Sequence, residues 1–416
     1  MNSKYIVLRE GYDWLRVGDA EDEISTREYK NLCIYLKNNI SNKSIIYDYN
    51  KIKFVNYVGI IKVDNLIIEL LPKISLTNDV VKDREMLIFM LSKCNKISVN
   101  IKEIISTNII KKSLLDILAK IFSENLLIEL QKGIYSEYVS EEEALSIIKG
   151  KIMLSKSISK NTFIKNKVHC KYDEFTVDNL FNIILKSAVN IVLPLVKDEN
   201  VKKKLNIINN IMEDVSDLFI SHNVIESYKL NRLNNRFLGC FTLAKLILLR
   251  FSMDKSLGKK TGFSILFEMN YLYEEYVGVL LREIFKDSNI VVSTQKKSEF
   301  LLWNILRERN EVALKPDIVV YVDDKPKIII DTKWKSSFID NKEVYNQGDI
   351  YQMYAYITTY LESEEAILLY PKVNTNADYS KWKITNMPNK KISICEISLE
   401  SYEVSKRNLY KLITKE

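Results

Sequence analysis

The chain has 416 residues, 47% apolar and 28% charged, enough to bury a sizeable core and to divide into two or three domains, which excludes a disordered chain. Its 61 basic and 54 acidic residues leave +7, a mild excess that suits contact with a polyanion over part of the surface without proving it. Five cysteines placed singly, with no Cys-x-x-Cys pair, and two distant histidines, His169 and His222, argue against a disulfide framework, a zinc cluster and histidine-based catalysis.

The opening "MNSKYIVLREGYDWLR" lacks an apolar core long enough for a signal peptide. No later stretch approaches the roughly 18 uninterrupted apolar residues of a membrane span. A cytoplasmic protein without membrane contact is expected. "YIVLRE" and a charged helix around residues 26–38 come first. "IKFVNYVGIIKVDNLIIELLPKI" (52–74) then reads as a hairpin turning at Asp64-Asn65 and closed by Pro72, which cannot donate to a sheet ladder. Helical spacing follows over 84–94 and 113–130.

In the middle, "KGKIMLSKSI" suggests a short strand. "TVDNLFNIILKSAVNIVLPLVKDENVKKKL" suggests one long amphipathic helix capped by Thr176 or Asp178, and a further helix covers 235–251. Gly, Ser and Lys gather in "SMDKSLGKKTGFS" (252–264), the best candidate for a linker. Its "GKKT" is not a phosphate loop, because Met253 and Lys260 stand where the pattern requires Gly and Ser or Thr. Any nucleotide-driven step therefore needs a partner.

After the linker, "SILFEMNYLYEEYVGVLLREIF" has helical periodicity throughout, with Glu274 at the border of its apolar stripe. "DIVVYV" and "KIIIDTKW" flank the turn "DDKPK" and read as adjacent strands. Residues two apart in a strand share a face, so Asp331 and Lys333 project together, and Asp317 at the head of the preceding strand can meet them. On the helix "DIYQMYAYITTY", Gln352 and Tyr356 are four apart and share a face. An acid-x-base triplet arises by chance about eight times at this composition, so Asp-x-Lys is informative only in this context. The set suits metal-assisted phosphodiester hydrolysis. Asp317, Asp331 and a backbone carbonyl, that of Thr332, would hold Mg²⁺ with Glu274 as a further ligand, while Lys333 orients or deprotonates water and offsets charge.

The order Glu274, Pro316-Asp317, Asp331-Thr332-Lys333, Gln352-x-x-x-Tyr356 resembles the PD-(D/E)xK nuclease superfamily, in the branch whose last helix carries Gln-x-x-x-Tyr. More narrowly, "NYVGIIKVDNLIIELLPKI", "KYDEFTVDNLFNIILKSA", "LFEMNYLYEEYV" and "DTKWK" with "DIYQMYAY" are similar to the McrC family of McrBC-type restriction systems over nearly the whole chain. Tyr273 stands where Phe is expected.

The resemblance implies an α+β or α/β protein in three parts: residues 1–130, a mixed domain that docks on a partner; 131–255, mainly helical; and 256–416, a restriction-endonuclease-like nuclease with a mixed sheet between helices. It implies a type IV endonuclease subunit for phage defence, dependent on Mg²⁺, with Mn²⁺ as an alternative. The partner would be an McrB-like AAA+ ring that binds GTP, which this chain does not, and whose GTP hydrolysis the chain stimulates. The substrate would be double-stranded DNA containing modified cytosine. The rivals are a stand-alone nuclease of the same superfamily and a catalytically idle DNA-binding regulator of the ring. Removing residues 1–130 is expected to spare the nuclease core.

Overall fold

The computed structural model describes residues 4–40, 44–72, 79–97, 111–155, 167–252, 262–335, 338–339, 342–343, 345–372 and 380–415. By compactness the chain forms two units, one joining Met1–Leu114 to Ser252–Glu416 and the other comprising Leu115–Phe251.

The first unit opens with β1 (Lys4–Arg9), β2 (Leu15–Arg16), α1 (Thr26–Asn39), β3 (Ile45–Asp48), β4 (Lys51–Phe54), β5 (Tyr57–Val63), β6 (Leu66–Leu71) and α2 (Val80–Lys93). Ser25 and Glu28 start α1 by a reciprocal capping box, which satisfies two backbone N–H groups that the first turn leaves open. The predicted hairpin is β5 and β6, antiparallel around Asp64 in left-handed conformation at φ 53°. β1 lies parallel to β6, and alternate residues of the three strands pack with Leu32, Tyr35 and Leu36 of α1.

The second unit contains α3 (Leu114–Gln131), which begins at the boundary, then β7 (Glu137–Leu145), β8 (Lys151–Ile152), β9 (Val168–Thr176), α4 (Leu180–Val192), α5 (Glu199–Ile211), α6 (His222–Ser227) and α7 (Leu238–Arg250). The single long helix expected here is two. Its first half is capped by Asn179, not Thr176 or Asp178, and Asp178 instead binds the backbone N and hydroxyl of Ser216. Pro194 has no N–H to continue the helix. Asp198 then starts α5 by accepting from the N–H groups of Asn200 and Val201. The strand expected at "KGKIMLSKSI" covers only two residues of the described part, and the helix expected from 235 begins as a 3₁₀ turn.

β10 (Phe251–Ser252) ends this stretch, and the first unit resumes with β11 (Gly262–Glu268), α8 (Met269–Ile284), β12 (Ile290–Thr294), β13 (Phe300–Asn304), β14 (Arg309–Ala313), β15 (Ile318–Val322), β16 (Lys325–Thr332), β17 (Phe338–Ile339), β18 (Lys342–Glu343), α9 (Gln347–Thr359), β19 (Glu365–Pro371), β20 (Lys381–Ile384), β21 (Met387–Ile397) and α10 (Tyr402–Thr414). Most of the expected linker, with its "GKKT", lies outside the described residues. Residues 262–268 belong to neither linker nor helix: β11 pairs antiparallel with β5, and helix begins only at Met269. The seam is tight, since a Cβ on Gly59, at φ +131°, would sit 2.0 Å from the Ile265 carbonyl oxygen.

This seam is why the compact units depart from the three expected stretches. The N-terminal strands are hydrogen-bonded into the same body as the last third of the chain. That body also contains a six-stranded mixed sheet ordered β12-β15-β16-β19-β21-β20, parallel at β16–β19 and β19–β21 and antiparallel elsewhere. Val319, Ile329, Ala366 and Leu368 pack on Met353, Tyr356 and Ile357 of α9. Ile318, Val320, Ile328 and Ile330 alternate with these strand residues and face away from α9, while α8 contacts β12 and β16. The mixed α/β class read from the sequence is thus the observed one. Among the described residues no helix is long and apolar enough to cross a membrane, and the five cysteines are free.

Candidate active site

β15 and β16 are joined by a two-residue turn at Asp323 and Asp324, both with positive φ (50° and 61°), the type of turn whose twist suits a hairpin. The register Ile318↔Ile330 and Val319↔Ile329, continued by one pair, sets Asp317 opposite Asp331. Asp317 Oδ2 accepts from the Thr332 backbone N–H (2.8 Å) and hydroxyl (2.9 Å), which fixes its carboxylate at the end of β16. Asp331 is 2% exposed and forms an ion pair with Lys333 at 2.6 Å.

Lys333 is the hub. Its Nζ also donates to Gln352 Oε1 (3.2 Å) and lies 3.6 Å from Asp349 Oδ1. Gln352 Nε2 donates to the Tyr356 hydroxyl (2.9 Å), which donates to the Lys315 carbonyl (3.1 Å). The Gln-x-x-x-Tyr face of α9 therefore orients the lysine and ties it to the backbone just before Asp317. Glu274, half-buried on α8, reaches the same place through Gln295, whose Nε2 donates to Glu274 Oε1 and approaches Asp317 Oδ1 at 3.4 Å. The six side chains proposed from the sequence fall in two bonded groups, Glu274–Gln295–Asp317 and Asp331–Lys333–Gln352–Tyr356, and the network is closed only through Thr332, which binds Asp317 and lies between Asp331 and Lys333 in the chain.

The electrostatics follow from burial and repulsion. Burial and the neighbouring Asp317 push the Asp331 carboxyl up to about 6, against the pull of Lys333. Burial, then Asp317 and Asp331, also raise Glu274 above the usual carboxylate range, with Gln295 and Lys315 opposing. Burial works against the charge on Lys333, but Asp331, Asp349 and Asp317 outweigh it and hold the ammonium above the ordinary lysine value.

Gln295 and Asp349 escaped the sequence reading. Gln295 lies just past β12 with positive φ (55°), and its backbone N–H donates to the Asp317 carbonyl (2.9 Å). Nothing in its local sequence marks it. Asp349 sits one turn before Gln352 and bridges Lys333 and Lys335; the i, i+3 spacing from Gln352 was the available signal.

Asp317 raises the proton affinity of both Asp331 and Glu274, and these hard oxygen donors near a held lysine are a donor set suited to Mg²⁺. Among the described residues, no three His, Cys, Asp or Glu side chains close on one point as a full protein cage. Mg²⁺ needs no such cage, since it keeps several waters and takes one or two carboxylates.

The comparisons agree with this architecture. No curated protein matches the chain. A chain of the refined half-complex from the tetradecameric assembly of Thermococcus gammatolerans McrB AAA+ hexamers with bound McrC is similar in fold, with TM-score 0.72 and 19% identity over 99% of both chains. A chain of the Thermococcus gammatolerans McrBC complex seen by cryo-electron microscopy gives TM-score 0.51 and 22% identity, covering 68% of this chain and 88% of that one. The family model described as McrBC 5-methylcytosine restriction system component matches residues 52–371, which takes in the β5–β6 hairpin, the second unit and every residue of the network from Glu274 to Tyr356. The chain belongs to this McrBC family, as the resemblance to McrC implied.

Proposed function

We propose that the chain is the McrC-like endonuclease subunit of a modification-dependent restriction system, cutting DNA phosphodiesters with Mg²⁺ in a PD-(D/E)xK site. The observation that carries this is the meeting, at Thr332 on the end of β16, of two bonded groups, Glu274–Gln295–Asp317 and Asp331–Lys333–Gln352–Tyr356.

Asp317, Asp331 and the Thr332 carbonyl would hold the ion, with Glu274 beside them; when bound, Mg²⁺ lends positive charge to the scissile phosphate and acidity to water. The protein's own part is positional. Lys333, kept charged by its acidic neighbours, is a donor and not a general base: it orients the attacking water and offsets charge growing at phosphorus. Gln352 and Tyr356 restrict where its ammonium can point. Asp317 is held by Thr332 and by Gln295, so neither strand end needs to move when substrate arrives.

The partner would be an McrB-like AAA+ ring that binds and hydrolyses GTP, with docking through the N-terminal strands, and the substrate double-stranded DNA with modified cytosine. The fold match to chains from assemblies of McrB with McrC supports this pairing.

The test is Asp331→Ala in the full-length chain. Mg²⁺-dependent cleavage should fall at least about 1,000-fold, while binding to the ring and stimulation of its GTPase persist. Unchanged cleavage would overturn the assigned site, and joint loss of all three activities would mark a folding defect. A wild-type chain that cuts DNA without ring or GTP would favour the stand-alone nuclease.

A further inference from the structure

Glu10 lies at the end of β1, remote in sequence from the catalytic candidates, and is 1% exposed. Each of its two carboxylate oxygens accepts from a donor. Trp334 Nε1 donates to Oε1 at 2.7 Å and the Asn56 backbone N–H donates to Oε2 at 2.9 Å.

Each donor leads to one side of the site. Trp334 directly follows Lys333 and packs against Tyr273, with ring centroids 5.4 Å apart; Tyr273 directly precedes Glu274. Asn56, held at φ +65°, accepts from the Met269 N–H on its carbonyl (2.9 Å) and from the Asn270 N–H on Oδ1 (2.8 Å). These are open N–H groups in the first turn of α8, whose own N-cap residue, Glu268, supplies no side-chain bond. One buried carboxylate thus reaches the strand end that carries Lys333 and, through Asn56, the helix start that carries Glu274.

The chemistry calls for a carboxylate. Two N–H donors arriving on separate oxygens need two acceptors, and glutamine offers one acceptor and one donor. Leaving either N–H buried without a partner is costly, so the arrangement locks both sides together.

We propose that Glu10 is a positioning residue for the candidate catalytic site, holding the Trp334 indole and the Asn56 turn at once and so fixing the spacing between Lys333 and the Glu274 helix. This role rests on the nuclease reading above. It makes the N-terminal strands part of the catalytic geometry, not only a docking element.

The test uses the full-length chain, in the reconstituted cleavage assay, with Trp334→Phe, Glu10→Gln and the double variant. Trp334→Phe keeps an aromatic ring on Tyr273 and removes one N–H. Each single variant should lower kcat about 10- to 100-fold, as expected for a displaced catalytic group, with KM for DNA unchanged. The double variant should be no worse than the worse single one, because both break the same link. A ¹⁵N-tryptophan label gives a readout apart from activity: the Trp334 indole N–H resonance should move in Glu10→Gln. Retention of kcat within about two-fold in Trp334→Phe, additive losses in the double variant, or an indole resonance unmoved by Glu10→Gln would each overturn the proposal. A wild-type chain inert on DNA would overturn the nuclease reading instead, and the proposed role with it.

Discussion

Asp331 is buried beside Asp317 with one lysine partner, and its proton affinity records how incomplete that compensation is. The sign of the effect on stability is fixed by the direction of the shift. A carboxyl whose folded-state value, about 6, lies above its ordinary 3.8 destabilises the fold where it is ionised in both states, above about pH 6, and this penalty disappears as pH falls toward 4. Asp331→Asn should therefore melt no lower than wild type at pH 7.5 in the absence of divalent ions. The difference in Tm between the two should shrink to nothing by about pH 4. Differential scanning calorimetry across that range checks it, and a Tm well below wild type at pH 7.5 would show that the Lys333 pair stabilises more than the repulsion costs. At this scale the sequence was informative wherever chemistry is local to a strand or helix: Asp331 and Lys333 are two apart, Gln352 and Tyr356 four apart. Glu10 and Gln295 were not legible as site residues, because their roles depend on tertiary contacts that no short-range spacing encodes, and Asp349 had only its i, i+3 spacing from Gln352 to mark it.

Elements followed the sequence where apolar periodicity was broken by strong punctuation, as at Asp64 between β5 and β6 or Asp323-Asp324 between β15 and β16. They departed from it where two elements shared one apolar run. Residues 264–285 have helical spacing, yet the first five are strand, since pairing with β5 outweighs local preference. The run from Thr176 to Leu205 contains Pro194, and the helix stops before it although the apolar pattern continues beyond. Restarting α5 then falls to Asp198, whose carboxylate takes two backbone N–H groups. Asp198→Ala should cost about 1 kcal/mol in chemical denaturation, while Asp198→Asn, which keeps an acceptor, should cost less than half of that. Equal losses for the two would mean that charge, not capping, matters there.

For the whole molecule, the joining of Met1–Leu114 with Ser252–Glu416 changes the consequence of truncation. The expectation that the last third would survive loss of residues 1–130 conflicts with β11 pairing on β5, Trp334 bonding to Glu10 and Met269 bonding to Asn56. A fragment of residues 256–416 should be readily proteolysed and lack a cooperative melt. Adding residues 1–114 in trans should restore protection if the seam is the missing part. A sharp, unaided transition in the fragment would count against this account. The same seam sets an order of events during synthesis. Strand β5 leaves the ribosome some 200 residues ahead of its partner β11, an interval of about 10 to 40 seconds at ordinary elongation rates. Throughout that wait its outer backbone edge has no native mate, and an open edge recruits other chains. The newborn protein is thus most exposed to misassembly before its last third exists, and slower translation there would lengthen the hazard.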